Sequence, residues 1–197
     1  MNLCVFQGTF NPIHKAHLRV ANYVADKYNF DKFLFIPAYE PPHKECDLNM
    51  STHRLNMVKL AISGYEKFEL SDIEYLRGGK SYTYITICEL YDKYKISGKI
   101  NFIIGTDAFR NIEKWYEADK LKRFVKFIVF ARENKFNSSD LIYLKEKGYD
   151  YVIESLPFED ISSSNLRYKI KNGESLSGYV TKEVEEYIIK NELYKNW

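Results

Sequence analysis

Two short segments carry residues whose types and spacing suit the binding of a polyphosphate. The first is Gly8-Thr9-Phe10-Asn11-Pro12-Ile13-His14-Lys15-Ala16-His17, between an apolar run and an amphipathic stretch. Gly8 lets the backbone approach a ligand closely, Pro12 sets the entry to a helix, and the N–H groups at that helix start favour an anion. His14 and His17, at i and i+3, project from one side of the first turn, where each can donate to phosphate oxygens. Read alone, the pair also suits a metal or a helix cap. Two histidines are too few for a tight metal site, and no further His or Cys lies at ligand spacing. The second segment is Ile161-Ser162-Ser163-Ser164-Asn165-Leu166-Arg167. Serines at a helix start offer hydroxyl and backbone donors, and Arg167, about one turn in, can fork onto a phosphate. By itself this segment reads more simply as an ordinary N-cap with a solvent-facing Arg. Together, a helix start bearing His and another bearing Ser and Arg form a grip on a polyphosphate from opposite sides.

Short apolar runs alternating with amphipathic stretches must position these groups, and that rhythm predicts βαβ units around a parallel sheet. Strands are predicted at Leu3 to Phe6, Phe33 to Ile36 (stopped by Pro37), Phe68 to Ser71, Ile100 to Ile104, Phe127 to Phe130 and Tyr151 to Ile153. Helices are predicted through Leu18, Ala21, Ala25 and Tyr28, from about Ser51 to Ser63, from a Ser81 cap through Ile85, Cys88 and Leu90, from the opening Ile161-Ser162-Ser163-Ser164 through Leu166 and Ile170, and from a Thr181 cap through Val184 and Ile188. Ala38 to Met50, with Pro41 and Pro42, reads as a long functional loop, and Arg77 to Lys80 as a shorter one. The expected class is α/β, a Rossmann-like doubly wound parallel sheet flanked by helices, in a single domain over residues 1–197. In such sheets ligands bind beyond the carboxyl ends of the strands, near the switch in strand order. The notable loops, after Phe6, Ile36 and Ile104, all leave such ends.

With 197 residues, 45% hydrophobic and 28% charged, and only 9 Gly and 5 Pro, the chain is no disordered or low-complexity polymer. Its 29 Lys and Arg nearly cancel 27 Asp and Glu, so no overall field favours nucleic acid or a membrane surface, and no basic stripe with interleaved aromatics appears. No apolar run is long enough to cross a membrane, and the start Met1-Asn2-Leu3-Cys4 resembles no signal sequence, so a soluble, cytoplasmic protein is expected. Cys4, Cys46 and Cys88 are odd in number and share no CxxC spacing, which favours reduced thiols, with Cys4 and Cys88 in the core. His43, Cys46 and His53 match no common zinc pattern and read as loop residues at a substrate edge.

The two segments resemble the GTFDPIHxGH and ISSTxxR motifs of the nucleotidyltransferase superfamily. Within it the chain resembles the bacterial nicotinate-nucleotide adenylyltransferases, from Leu3 to about Tyr194. Pro41-Pro42-His43-Lys44, Arg54-Leu55-Asn56-Met57, Ser81-Tyr82-Thr83, Gly105-Thr106-Asp107 with Trp115-Tyr116, and Gly178-Tyr179-Val180 with Val184-Glu185-Glu186-Tyr187-Ile188 support the resemblance. Three positions depart from the pattern: Gln7 replaces the first of two glycines, Asn11 the usual Asp, and Ala16 the usual Gly. A methyl at Ala16 crowds whatever passes over the first helical turn, which bears on the nucleotide pose.

The resemblance implies transfer of AMP from ATP to nicotinate mononucleotide, giving the dinucleotide and pyrophosphate in NAD biosynthesis. It implies His14, His17, Lys44 and Arg167 as the catalytic set. Gly8, Thr9, Phe10, His17, Gly105, Asp107, Ile161, Ser162, Ser163 and Arg167 would meet ATP, and Thr9, Lys44, Tyr82, Thr83, Trp115 and Tyr116 the mononucleotide. Magnesium is expected on the ATP phosphates and water, because no carboxylate cluster cages it. Three of these residues read two ways without the resemblance: Lys44 as a solvated lysine, Asp107 as the cap of a helix beginning at Ala108, and Trp115 as core. Pantetheine-phosphate adenylyltransferase, which shares both motifs, gives no reason for Ser81-Tyr82-Thr83 or for Trp115. A nucleotide-binding regulator without catalysis, with Ala16 as its first symptom, is the alternative from another class. No nucleic-acid or membrane partner is expected, and assembly as a homo-oligomer stays open.

Overall fold

The structure, a computed structural model, describes residues 1–42, 47–131, 136–157 and 161–195. Its elements are β1 (Leu3–Gly8), α1 (Lys15–Lys27), β2 (Lys32–Pro37), α2 (Asn49–Ile62), β3 (Phe68–Leu70), α3 (Ile73–Arg77), α4 (Thr83–Lys93), β4 (Ile100–Gly105), α5 (Thr106–Phe109), α6 (Ala118–Phe124), β5 (Val125–Phe130), α7 (Ile142–Glu146), β6 (Asp150–Glu154), α8 (Ser163–Lys171) and α9 (Lys182–Lys190). The strands form one six-stranded sheet in the order β3-β2-β1-β4-β5-β6. All pairings are parallel, as the doubly wound expectation requires.

The near-continuous apolar runs follow from burial of the sheet on both faces. Cys4, Phe6, Phe33, Phe35, Ile103 and Ile128 point to one side, against Leu18, Ala21 and Val24 of α1, Met57 and Ala61 of α2, Leu166 of α8, and Val184 and Ile188 of α9. Leu3, Val5, Leu34, Ile36, Phe102 and Phe127 point to the other, against Ile87 and Leu90 of α4, Phe109, Leu121 and Leu144. Cys4 is buried and Cys88 half-buried, both as free thiols. Among the described residues no helix is long and apolar enough to cross a membrane.

The register explains where a crevice opens. β1 pairs with β2 along its whole length, from Leu3↔Lys32 to Gly8↔Pro37. With β4 it pairs at Cys4↔Asn101 and Val5↔Phe102. Beyond Val5 the two central strands part at the switch in strand order, and the ends Phe6–Gly8 and Ile103–Gly105 become the floor of the crevice.

Several local expectations need correction. Ser81 does not cap α4, whose N-cap is Tyr82. Its hydroxyl instead accepts the Glu40 N–H at 3.0 Å while its own N–H donates to Glu40 O at 2.9 Å, clamping the segment after β2. Asp107 caps no helix at Ala108: α5 begins at Thr106 with Gly105 as N-cap, and Asp107 lies inside its first turn. Pro12 precedes α1 by more than the first helical position, because the helix starts at Lys15. The short helices α3, α6 and α7 were not legible as periodic patterns. α3 holds only Ile73–Arg77 and is set by burial of Ile73 and Glu74, then ends at Gly78 and Gly79, both at positive φ.

Candidate active site

Two adjoining cavities open at the carboxyl ends of β1 and β4. The larger, about 900 Å³, runs from the β1–α1 turn to Tyr82, Thr83, Trp115 and Tyr116. The smaller, about 280 Å³, lies between the first turns of α1 and the segment entering α8, and includes Arg19, Leu156, Pro157 and Ile161. They share a wall made by His14, His17, Gly105, Asp107 and Ser162.

Local packing shapes the β1–α1 turn. Phe10 is buried with a left-handed backbone (φ 47°), and its ring meets Phe6 at 5.4 Å edge-on, Phe35 at 5.9 Å and His17 at 5.1 Å edge-on. That ring covers Gly8 so closely that a Cβ there would stand 3.0 Å from it. Gly8 is therefore required by Phe10 packing, a reason separate from ligand approach. Phe10 lines the larger cavity, but most of its ring is committed to the core.

His14 is the N-cap of α1 and His17 its third residue, and their rings stack at 3.7 Å. The His14 N–H donates to His17 Nδ1 at 3.2 Å. An accepting Nδ1 carries no proton, so in the neutral ring the proton sits on Nε2. The Lys15 N–H donates to Tyr179 O at 2.8 Å. Two of the N–H groups at this helix start are thus spent inside the protein, which shifts the anion-binding capacity expected of the backbone toward the imidazoles. His14 is almost fully covered and His17 is partly open.

The α8 start is tied to the same turn. Of the three serines expected at this helix start, Ser162 is the cap, accepting the Asn165 N–H at 3.2 Å. Ser163 Oγ donates to Pro12 O at 2.9 Å, and Arg167 Nη1 donates to Asn11 O at 2.7 Å. Arg167 Nη2 also donates to Ser164 Oγ at 3.2 Å. Asn11, one of the three residues that depart from the family pattern, is buried, and its Oδ1 accepts the Tyr194 hydroxyl at 2.6 Å. Residues 156 positions apart are thereby locked into one rim.

On the far wall, Tyr82 and Tyr116 pack ring to ring at 4.6 Å, and Trp115 sets its edge against Phe102 at 6.3 Å while its exposed part lines the larger cavity. Trp115 is thus both core and cavity wall. Asp107 is exposed on α5 and borders both cavities. Every described candidate (Gly8, Thr9, Phe10, His14, His17, Tyr82, Thr83, Gly105, Asp107, Trp115, Tyr116, Ile161, Ser162, Ser163 and Arg167) falls on one cavity or the other. Lys44, with His43 and Cys46, lies outside the described residues.

Sequence reasoning gave no role to two buried charges, Glu74 and Arg54, the latter standing only within a segment that supports the resemblance. Arg54 donates to Thr9 O at 3.2 Å, to Tyr39 O at 2.8 Å and to Ala38 O, binding the turns after β1 and β2 together. A signal was present: Met50, Arg54, Met57 and Val58 follow one another at helical steps, which puts a cation on the buried stripe of α2. Beside the smaller cavity, Glu154 accepts from Lys27 Nζ and Tyr23 OH, both at 2.7 Å, and from Tyr28 OH. Burial opposes its ionisation, but the bonds from Lys27, Tyr28 and Tyr23 win and hold its carboxyl below the usual range. Burial and the bond to Glu154 push Tyr28 up to about 12. Tyr23 in turn packs edge-on against Phe130, at 5.9 Å, on the cavity wall.

A family model described as cytidylyltransferase-like matches residues 5–169. A Clostridium tetani protein with the name "Probable nicotinate-nucleotide adenylyltransferase" is 37% identical, covering 97% of this chain and 98% of its own. A Bacillus licheniformis protein of the same name is 38% identical over 97% of each chain. Among solved structures, Plasmodium falciparum nicotinic acid mononucleotide adenylyltransferase complexed with NaAD shares the fold, with a TM-score of 0.81 at 24% identity over 98% of this chain and 97% of that one. The form complexed with APC gives 0.76 at 26% identity, over 98% and 97% of the two chains.

Proposed function

The chain belongs to the nicotinate-nucleotide adenylyltransferases of the cytidylyltransferase-like family, and from that premise we infer that it transfers AMP from ATP to nicotinate mononucleotide, releasing pyrophosphate, as a step of NAD biosynthesis. The observation that carries this reading is the shared wall of the two cavities: it gives two nucleotides a common boundary lined by His14 and His17. The 197 residues would act as one nucleotidyltransferase domain, in the cytoplasm, with nucleotides as its partners.

In this reaction a phosphate oxygen of the mononucleotide attacks the α-phosphorus of ATP, and the bond from that phosphorus to the bridging oxygen of pyrophosphate breaks. The nucleophile needs no catalytic base, since the second ionisation of a phosphate monoester lies near about 6 and the group is largely dianionic at pH 7. The protein's task is to hold two mutually repelling anions in line and to stabilise charge on the α-phosphate and the leaving group. His17, with its Nε2 proton fixed by the His14 N–H, is the donor we assign to the α-phosphate, and His14 supports it from the stacked position. Thr9 and the turn after Gly8 would meet the phosphate region of both nucleotides. Arg167 and Ser163 would hold the departing phosphates. Ser163 must release Pro12 O to do so, and Arg167 already donates to Asn11 and Ser164 at the same rim.

Asp107, between the cavities, would accept from a ribose hydroxyl of ATP, with Gly105, Ile161 and Ser162 around the adenosine. Trp115 would stack on the pyridine ring, and backbone N–H groups near Tyr82, Thr83 and Tyr116 would read its carboxylate, favouring the acid over the amide. Lys44 would add a point charge on the phosphates. Among the described residues, no group of three or more His, Cys, Asp or Glu stands where it could hold a metal ion. A magnesium ion would be held chiefly by phosphate oxygens and water, with Asp107 the one carboxylate among the described residues of the shared wall. When bound, it supplies neutralisation of the triphosphate charge.

The test is pyrophosphate release from magnesium ATP with nicotinate mononucleotide, its amide, or phosphopantetheine as acceptor. Turnover with the acid well above the amide, and none with phosphopantetheine, is expected. An amide preference overturns the carboxylate assignment, and ATP binding without turnover on any acceptor overturns the enzyme.

A further inference from the structure

The adenylyltransferase reading leaves two fully buried charges, Arg54 and Glu74, without a role in touching either nucleotide. One peptide unit joins them. The oxygen of the Ala38–Tyr39 peptide accepts from Arg54 Nη1, and the N–H of that same peptide donates to Glu74 Oε2 at 3.2 Å. Glu74 Oε1 accepts from Gln7 Nε2 and from Thr86 Oγ1, each at 2.5 Å. Arg77, itself bonded to Glu89, stands 3.8 Å from the same oxygen. A carboxylate can only accept, so it dictates which way the Gln7 amide faces and where the Thr86 proton points.

The groups held this way belong to three walls of the larger cavity. Gln7 and Thr9 come from the end of β1, Ala38 from the end of β2, and Thr86 lies one turn behind Thr83 in α4. Glu74 bonds Gln7, Thr86 and the 38–39 peptide, none of them among the groups that would meet ATP, whereas Thr9, which Arg54 holds, would meet both nucleotides. Burying a cation and an anion costs more than an apolar pair of the same size, and such a network is worth its cost where it fixes one arrangement of backbone. Gln7 stands where the family pattern has glycine, so this chain adds a side-chain donor to the network.

Resting on the adenylyltransferase reading, we propose that Glu74, through Gln7, Thr86 and the 38–39 peptide, is a positioning residue that sets the mononucleotide side of the larger cavity. Binding of nicotinate mononucleotide then depends on the Glu74 carboxylate, and binding of ATP does not.

The experiment compares E74Q, T86V, Q7E and Q7E/E74Q with the wild type, by calorimetric titration with nicotinate mononucleotide and with ATP, and by KM for each. E74Q is expected to raise the Kd and KM for the mononucleotide about tenfold, the effect of removing a charged acceptor from several donors, with both constants for ATP within about twofold. T86V removes one hydroxyl at nearly constant volume and is expected to give about threefold on the mononucleotide alone, so the test survives an E74Q variant that fails to fold. Q7E sets two carboxylates face to face and should be the worst variant. Q7E/E74Q exchanges amide and carboxylate, relieves that repulsion, and should bind the mononucleotide more tightly than Q7E does. Parallel shifts in both substrates, an unchanged mononucleotide constant in a folded variant, or no rescue by the exchange each overturn the proposal. A wild type that neither binds nor adenylylates nicotinate mononucleotide would instead overturn the reaction on which it rests.

Discussion

Replacing His17 by alanine separates chemistry from structure. In the folded protein its Nδ1 accepts the His14 N–H at 3.2 Å, its ring stacks on His14 at 3.7 Å, and it meets Phe10 at 5.1 Å and Phe6 at 6.0 Å. The hydrogen bond is long and the ring partly open, so the stability lost is about 1 kcal/mol, of the order of one helix cap. For a chain of this size that lowers Tm by about 2–4 °C. The loss in catalysis is far larger. A donor aimed at charge that develops in the transition state contributes about 100- to 1000-fold in kcat, roughly 2.7–4 kcal/mol, because it is fixed before the reaction and works out of bulk water. His17→Gln provides the contrast. A glutamine at the third helical position can reach back to the N-cap N–H, so Tm should return to near wild type while kcat stays low. The assay is steady-state pyrophosphate release with magnesium ATP and nicotinate mononucleotide, alongside thermal melts. A kcat within about threefold of wild type for His17→Ala, or a rise confined to the KM for ATP, would refute the donor role.

Gly8→Ala tests the packing account of the β1–α1 turn: the new Cβ would lie 3.0 Å from the Phe10 ring, and the ring must shift. About 1–3 kcal/mol of destabilisation is expected from this overpacking, read as the chemical denaturation midpoint, together with weakened binding of both nucleotides. Wild-type stability in this variant would remove the packing reason for Gly8. The Glu154 cluster predicts a pH dependence on the acid side. Because its carboxyl is held below the ordinary range, its contribution is full above the unfolded-state value near 4.5 and is lost as pH falls through the lower folded value. Glu154→Gln should be less stable than wild type at neutral pH, with the difference shrinking below about pH 4.5, as denaturation at several pH values would reveal. On the alkaline side, Tyr28 favours its protonated form in the folded state, so stability is lost as pH rises from about 10 toward about 12.

Local spacing determined much of this protein. Each predicted strand lies within an observed one or overlaps it closely, Thr181 caps its helix as expected, and a serine of the 162–164 run caps α8, because alternation and capping depend on residues only a few positions apart. The two phosphate-binding segments could be read for the same reason, each being a contiguous run at a helix start. Tertiary structure alone decided how they meet. The order β3-β2-β1-β4-β5-β6 sets β1 beside β4, and only the parting of those strands beyond Val5 and Phe102 turns a motif into a cavity wall. The true cap of α4 is hidden because Ser81 answers Glu40, a partner 41 residues away. Gly8 owes its identity to a ring folded back over it. Arg54 and Glu74 show the limit most clearly. Their meaning lies in a peptide between them and in partners such as Gln7, 67 residues from Glu74, and no local periodicity reports on groups brought together by the closing of a core.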